Sequence, residues 1–302
     1  MKANNQKYIT CLLVVQILLV SCETVVDVKI PQSKPQIVLN AFINPDSTFK
    51  ADISASRNIL DDSNFKWING ADIKLYDGDQ LMGTFSESEN GSYRLDDVKP
   101  QVGKMYRIEA SKDQYQSVYA ESMIPIEKAR IQSALISSEM KEGYEQFFLE
   151  IEIDDKAGEN FYELVVWRYN RTYTFQGYEL IATDSTLMRV YIDSEDVAID
   201  DFQDSGSSLV FSDVLFEGKT HKLKAGIGSF FDFDNQGNRI PNSYVISLRN
   251  TNEEYFRYQR SKALQEWVDG DPFAEPVQVF NNINNGFGIF AGYNETKINV
   301  IY

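Results

Sequence analysis

Ala71-Asp72-Ile73-Lys74-Leu75-Tyr76-Asp77-Gly78 decides the fold class. Its apolar residues fall mostly on alternate positions, the period of a half-buried strand, and Asp77-Gly78 ends the run with a tight-hairpin dipeptide. The pattern continues on both sides. Candidate strands at 37–43, 49–56, 81–85, 92–95, 105–110 and 117–123 join 71–76, with Asn90-Gly91 as a second hairpin signal. That spacing predicts an antiparallel sandwich of roughly immunoglobulin size.

A second block, 129–302, is also strand-dominated and richer in aromatic residues, with its strongest candidates at 147–153, 162–169, 188–192, 209–211, 221–227 and 244–248. One segment breaks the period. Thr251 followed by Glu254 makes a capping box, Phe256, Ala263, Leu264, Trp267 and Val268 form an apolar stripe, and Gly270 stands where a C′ residue belongs. We therefore expect a helix over about 252–268 that plugs the open face or end of a sheet. The predicted fold is mainly β: two antiparallel β-sandwich-like domains, 36–128 and 129–302, the second carrying one amphipathic helix near its C-terminus. No internal repeat and no low-complexity tract interrupts this organisation.

The chain has 302 residues, 43% of them hydrophobic and 13% aromatic, enough for a packed core and incompatible with a disordered chain. Lys and Arg total 29 against 45 Asp and Glu, a net charge of −16. Nucleic acid is thereby excluded as a partner, because binding to phosphates depends on basic side chains releasing counterions. With one histidine and two cysteines, His-rich metal sites and disulfide scaffolds lack raw material.

The N-terminus reads as an address. Lys2 and Lys7 precede a largely apolar run at 8–20 that is too short to span a hydrocarbon layer of about 30 Å, so it reads as the h-region of a signal peptide over 1–21. The run ends in Leu19-Val20-Ser21-Cys22, which resembles the lipobox of bacterial lipoproteins. That resemblance implies cleavage between Ser21 and Cys22, diacylglycerol on the Cys22 sulfur, and acylation of the new amino terminus by a chain such as palmitate. Cys11 leaves with the leader, so the mature chain holds no free thiol. More than one acyl chain is what lasting attachment requires. Residues 22–35 then form a lipidated tether, kept extended by Pro31 and Pro35.

Motifs for catalysis are incomplete. Gly286-Phe287-Gly288-Ile289-Phe290-Ala291 has the letters of a dinucleotide fingerprint, but eleven residues follow it, too few for the helix and second strand that give the fingerprint its mechanism. Gly218-Lys219-Thr220 has the end of a phosphate-binding loop but Asp213 at its leading glycine. Gly226-Ile227-Gly228-Ser229-Phe230 has Phe231 in place of the last glycine of a nucleophile elbow. His221, the single imidazole, lies in a predicted strand. Asp232-Phe233-Asp234-Asn235-Gln236-Gly237-Asn238 has the clustered oxygens of a calcium loop, with Asp232 and Asp234 as the ligands. Its twelfth position is Ser243 rather than glutamate, so a solvated acidic loop is the alternative reading. The acids at 193–204 read the same way. No cofactor is expected other than the covalent lipid. Trp167, Tyr169, Tyr173 and Phe175 cluster in sequence, and their flat faces suit sugars or apolar groups, with core packing as the alternative.

Two resemblances complete the reading. Gly91-Ser92-Tyr93-Arg94-Leu95, Pro100, Gly103, Tyr106, Ile108, Tyr115 and Ala120-Glu121 look like a transthyretin-like or carboxypeptidase-regulatory-like module. The C-terminal run Pro272-Phe273-Ala274-Glu275-Pro276-Val277 and Asn285-Gly286-Phe287-Gly288-Ile289-Phe290-Ala291-Gly292-Tyr293 resembles the end of a family of Bacteroidota envelope lipoproteins labelled only as a domain of unknown function. Cys22-Glu23, Val26-Asp27-Val28 and the run at 37–45 resemble that family's start. The resemblance implies an outer-membrane lipoprotein, often encoded beside TonB-dependent receptors, and carries over no catalytic residue. The expected function is therefore a non-enzymatic, outer-membrane-anchored component that binds a ligand or docks on a TonB-dependent receptor. The alternatives are a surface hydrolase of glycans or peptides that uses paired carboxylates, and a structural envelope or adhesion protein.

Overall fold

The computed structural model describes residues 34–58, 64–177, 179–199, 206–228, 231–234, 236–271 and 273–302. The signal peptide, Ser21, Cys22 and nearly all of the tether lie outside them. In the first part of the chain the strands are β1 (Ile37–Ile43), β2 (Phe49–Ala55), β3 (Asp72–Asp77), β4 (Gln80–Thr84), β5 (Ser86–Glu89), β6 (Ser92–Leu95), β7 (Met105–Ser111) and β8 (Val118–Met123). Then come β9 (Arg130–Lys141), β10 (Tyr144–Asp154), β11 (Phe161–Gln176), β12 (Glu179–Arg189), β13 (Ile192–Asp193), β14 (Leu209–Ser212) and β15 (Thr220–Ile227). The chain ends with β16 (Asp232–Phe233), β17 (Arg239–Ile240), β18 (Ser243–Thr251), helix α1 (Glu253–Val268) and β19 (Phe287–Ile301). It is mainly β, as the alternation predicts.

One long sheet organises the fold, in the order β12-β11-β18-β19-β1-β2-β6-β5, with β14 also paired to β11. Its connecting element is β19. Over Phe287–Gly292 this strand runs parallel to β1, and over Tyr293–Ile301 it runs antiparallel to β18. The parallel pairing joins residues some 250 positions apart, where the alternation suggested antiparallel neighbours only. Glycine makes it possible: Gly288 has φ +114, and a Cβ there would stand 2.0 Å from the Leu39 carbonyl oxygen.

Each end of the long sheet is covered by a smaller one. The sheet β4-β3-β7-β8 encloses a core with β1, β2 and β6 that includes Leu39, Ile53, Ile73, Tyr93, Tyr106, Ile108 and Phe290. The sheet β13-β15-β10-β9 encloses a second with β11, β14 and β18 that includes Leu149, Ile151, Tyr162, Leu164, Val166, Phe211, Leu223 and Ile246. Both cores lie on the same face of the long sheet, since β19 supplies Phe290 to one and Ile298 and Val300 to the other, all even positions. Its odd positions point the opposite way, and Ile289 and Ala291 pack there with Tyr255 of α1. The helix therefore lies across the outer face of the sheet rather than closing an open end.

A buried polar network stabilises the second core at its edge. Tyr162 donates its hydroxyl to Asp155, and Asp155 also accepts from Gly218 N–H at 2.7 Å. Asp213, 1% exposed, accepts both the backbone N–H and the side-chain amide of Asn160, at 2.9 and 3.0 Å. These bonds tie the 155–160 loop to the 213–218 loop, and each donor satisfies a carboxylate that would otherwise be costly to bury. Burial raises the Asp155 carboxyl above its ordinary range, against the opposing bonds from Tyr162 and Gly218.

Candidate ligand-binding site

The site begins where α1 starts. The sequence places the N-cap at Thr251, but Thr251 still belongs to β18, paired with Phe161 and Tyr293. Asn252 caps the helix instead, its carboxamide oxygen accepting from Tyr255 N–H at 3.1 Å and from Gly292 N–H at 3.3 Å. Its amide nitrogen donates to Ser122 Oγ at 2.9 Å. One asparagine thus fixes the helix to β8 and β19 at once. Gly270, at φ +84, ends the helix as expected.

Beneath the helix three strands place a charged row side by side. Glu163 of β11 pairs in register with Arg249 of β18, which pairs with Glu295 of β19. Arg249 Nη1 donates to Glu163 Oε2 at 2.5 Å, and its Nε stands 3.5 Å from Glu295 Oε2. Tyr255 reaches down from the helix and donates to the same Glu163 oxygen at 2.6 Å. Glu295 also accepts from Ser247 Oγ at 2.8 Å and Lys297 Nζ at 2.5 Å, and the Tyr293 ring lies 4.6 Å from the Arg249 guanidinium carbon. Burial opposes the charge on Arg249, but Glu163, Tyr255 and Tyr293 together outweigh it and raise the guanidinium above its usual range. Burial likewise raises the Tyr255 hydroxyl, which stays protonated and can only donate to Glu163 as an acid would. The row orients the helix through the bonds to Glu163, although Arg249 Nε is buried without a hydrogen-bond partner and meets Glu295 as an ion pair only.

The stripe read from sequence divides between two surfaces. Tyr255 and Ala263 are the buried helix residues, while Trp267 is 72% exposed and Phe256 and Leu264 face a groove. The opposite wall is the extended segment 277–281. Val277 N–H donates to Gln265 Oε1 at 3.1 Å and Phe280 N–H to Ser261 Oγ at 2.8 Å, so two helix side chains hold the segment alongside. Arg257 lies 4.4 Å from the Phe280 ring centre. The following asparagines anchor the segment from below: Asn282 both donates to Phe290 carbonyl oxygen at 2.7 Å and accepts from Phe290 N–H at 2.9 Å, imitating a strand against β19. The groove between helix and segment has a volume of about 660 Å³, within the range of small-molecule sites.

The aromatic residues singled out in the sequence do share a face. Trp167, Tyr169, Tyr173 and Phe175 occupy odd positions of β11, the face that also carries Glu163. Beyond Arg168, the last residue paired with β18, the described residues of β11 pair with β12 alone and form a two-stranded ribbon. Phe175 is 76% exposed there, whereas Trp167 is half-buried with the Arg189 guanidinium 5.2 Å from its ring. This row is a platform, not a recess.

Asp232 and Asp234 have separate tasks. Asp232 stands 3.9 Å from both Arg168 and Arg171. Asp234 closes its own turn, accepting from Gln236 N–H and Asn238 N–H at 2.8 Å each and from the Asn238 side chain at 2.9 Å, and the Asn238 bonds lower its carboxyl below the usual range. Among the described residues no group of three or more His, Cys, Asp or Glu side chains is placed to hold a metal ion. His221 offers its Nε2 to Asp196 at 3.0 Å and stacks on Phe216 at 4.3 Å. A second recess of about 540 Å³ lies near it, lined by charges of both signs, of which Lys224 pairs with Glu139 at 2.6 Å.

No curated protein matches this sequence. The family resemblance read from the two ends of the chain holds over almost all of it: residues 23–299 match the profile of the family described as a domain of unknown function (DUF4249), and the chain belongs to that family.

Proposed function

We propose that the mature chain is an outer-membrane lipoprotein, attached through acyl chains on Cys22, that captures a small ligand without transforming it and serves as an accessory component of a TonB-dependent uptake system. The observation that carries this reading is the groove between α1 and 277–281. Its walls are fixed by Asn252, Ser261, Gln265 and Asn282, so the recess is formed before any ligand arrives. One wall of the groove, 277–281, runs between the two C-terminal motifs on which the family resemblance rests, and the resemblance supplies the expectation of a TonB-dependent receptor as partner. Non-enzymatic capture is favoured because, among the described residues, the side chains around the groove are arginines, amides, the Ser261 hydroxyl and apolar groups, without a paired acid and base.

The test is purification of the tagged full-length protein from outer membranes in mild detergent. A TonB-dependent receptor is expected to co-purify in stoichiometric amount. Repeated recovery from the soluble fraction, or from the membrane with no receptor, would overturn the assignment.

A further inference from the structure

The turn that follows α1 breaks a rule of helix ends. A helix C-terminus carries partial negative charge, which cations stabilise and acids oppose. The last turn of α1 contains no basic residue, Asp269 is its C-cap, and Asp271 and Glu275 follow. No lysine or arginine occurs between Lys262 and Lys297. Lys262 pairs with Glu266 at 3.0 Å, but Asp269, Asp271 and Glu275 are exposed and, among the described residues, none of the three is joined to a cation. Between the last two, Phe273 is 94% exposed, more than any other large apolar side chain among the described residues. The backbone holds it there. Asp271 N–H donates to the Val268 carbonyl oxygen and Ala274 N–H to the Asp271 carbonyl oxygen, at 3.2 Å each, and Phe273 N–H donates to Asp271 Oδ1 at 2.9 Å. On the return, the bond from Val277 N–H to Gln265 ties the chain back to the helix. An exposed ring and uncompensated acids on a fixed turn both oppose stability, and such local inconsistency marks functional positions.

A buried aromatic anchor carries much of an interface's energy, and complementary charge around it sets specificity and on-rate. Aromatic tips also enter bilayer interfaces, but anionic lipid repels acids, so the charge here favours a basic protein surface over a membrane. We propose that this turn is a docking plug: Phe273 enters an apolar pocket on a partner protein, and Asp269, Asp271 and Glu275 meet lysine or arginine side chains around the pocket's rim. The inference rests on the accessory role proposed above, and the receptor of that proposal is the partner in which the pocket is sought.

The experiment places the photo-crosslinking residue p-benzoylphenylalanine at position 273 of the full-length protein and irradiates intact outer membranes, with the same residue in place of Phe175, 76% exposed on the β11-β12 ribbon, as the control. An adduct with the receptor is expected from position 273 and none from position 175. Phe273→Ala is expected to melt at the parent temperature, since the ring is exposed, and to lower the receptor recovered with the tagged protein at least about tenfold. The double variant D269N/E275Q is expected to recover less receptor than the parent at low salt and a similar amount at high salt, where rim charges are screened. An adduct from position 273 with lipid, with a second copy of this chain or with nothing, undiminished recovery by Phe273→Ala, or a double variant that matches the parent at low salt would each overturn the proposal, while receptor recovery by the parent would leave the accessory role standing. Failure of the parent itself to recover a receptor is the separate result that removes the accessory role and the docking plug with it.

Discussion

Replacing Arg249 by methionine probes the row that seats the helix. The substitution keeps a long apolar stem but removes the cation between Glu163, 1% exposed, and Glu295, 6% exposed. The two acids are not equally affected. Glu295 retains Ser247 and Lys297, whereas Glu163 keeps the Tyr255 hydroxyl as a donor at 2.6 Å. Removing one partner of a buried pair costs about 3–5 kcal/mol, mostly as the desolvation of the charge left behind. At roughly 2–4 °C per kcal/mol for a chain of this size, the melting temperature should fall by roughly 6–20 °C. The sign of the pH dependence follows. An unpaired buried carboxylate has a raised folded-state pKa, so its penalty grows as pH rises above the unfolded value and shrinks as the group is protonated. R249M should therefore lose more stability at pH 8 than at pH 5. Adding Glu163→Gln removes the stranded charge and should recover part of the loss. Thermal melts by circular dichroism on parent, single and double variants measure all three effects. A loss below about 1 kcal/mol, an equal loss at both pH values, or a double variant no better than R249M would refute the assignment of the row as a coupled charge network.

Three further outcomes are expected. Gly288→Ala places a Cβ 2.0 Å from the Leu39 carbonyl oxygen at a φ of +114 and should abolish or severely reduce soluble expression, while Gly237→Ala, at φ +81 with nothing within 4 Å, should cost only about 1 kcal/mol in urea unfolding. Asn252→Ala removes the cap and its bonds to Ser122 and Gly292, and a loss of about 1–2 kcal/mol in the same assay is expected; a change within a few tenths would show the cap to be idle. Burial works to raise the Glu295 carboxyl, but Lys297, Ser247 and Arg249 outweigh it and hold it below the ordinary range. Its contribution is thus complete above the usual glutamate value of about 4.3 and lost as pH falls through the lowered one, so Glu295→Gln should flatten the acid limb of stability below about pH 4.5.

What the sequence conveyed and what it withheld follow from the range of each interaction. The alternation at 71–76 and the turn at Asp77-Gly78 are local, and β3 and β4 form where they say. The aromatics from Trp167 to Phe175 were legible as a cluster, but the expected strand stopped at 169, whereas β11 runs on to Gln176 and sets all four on one face. The row Glu163-Arg249-Glu295 was not, because its register depends on β11, β18 and β19 meeting across 132 positions, and charge patterning along a single strand carries no trace of that. The parallel pairing of β1 with β19 is hidden for the same reason, although Gly288 and Gly292 between apolar residues are the kind of position at which backbones approach closely. The helix stripe read from sequence left out the two residues that matter most: Tyr255 and Tyr258 pack toward the sheet, and Phe256 and Leu264 are left to the groove. The asparagines at 252, 281 and 282 look like loop composition, and only the fold reveals them as the bonds that shape the site.

The account depends most on attachment through Cys22, and intact-mass and peptide mass spectrometry of the protein recovered from outer membranes measures it directly. The predicted result is a mature chain that begins at Cys22 and carries diacylglycerol on sulfur with a further acyl group on the amino terminus. An unmodified Cys22, or a soluble chain cleaved elsewhere, would contradict it.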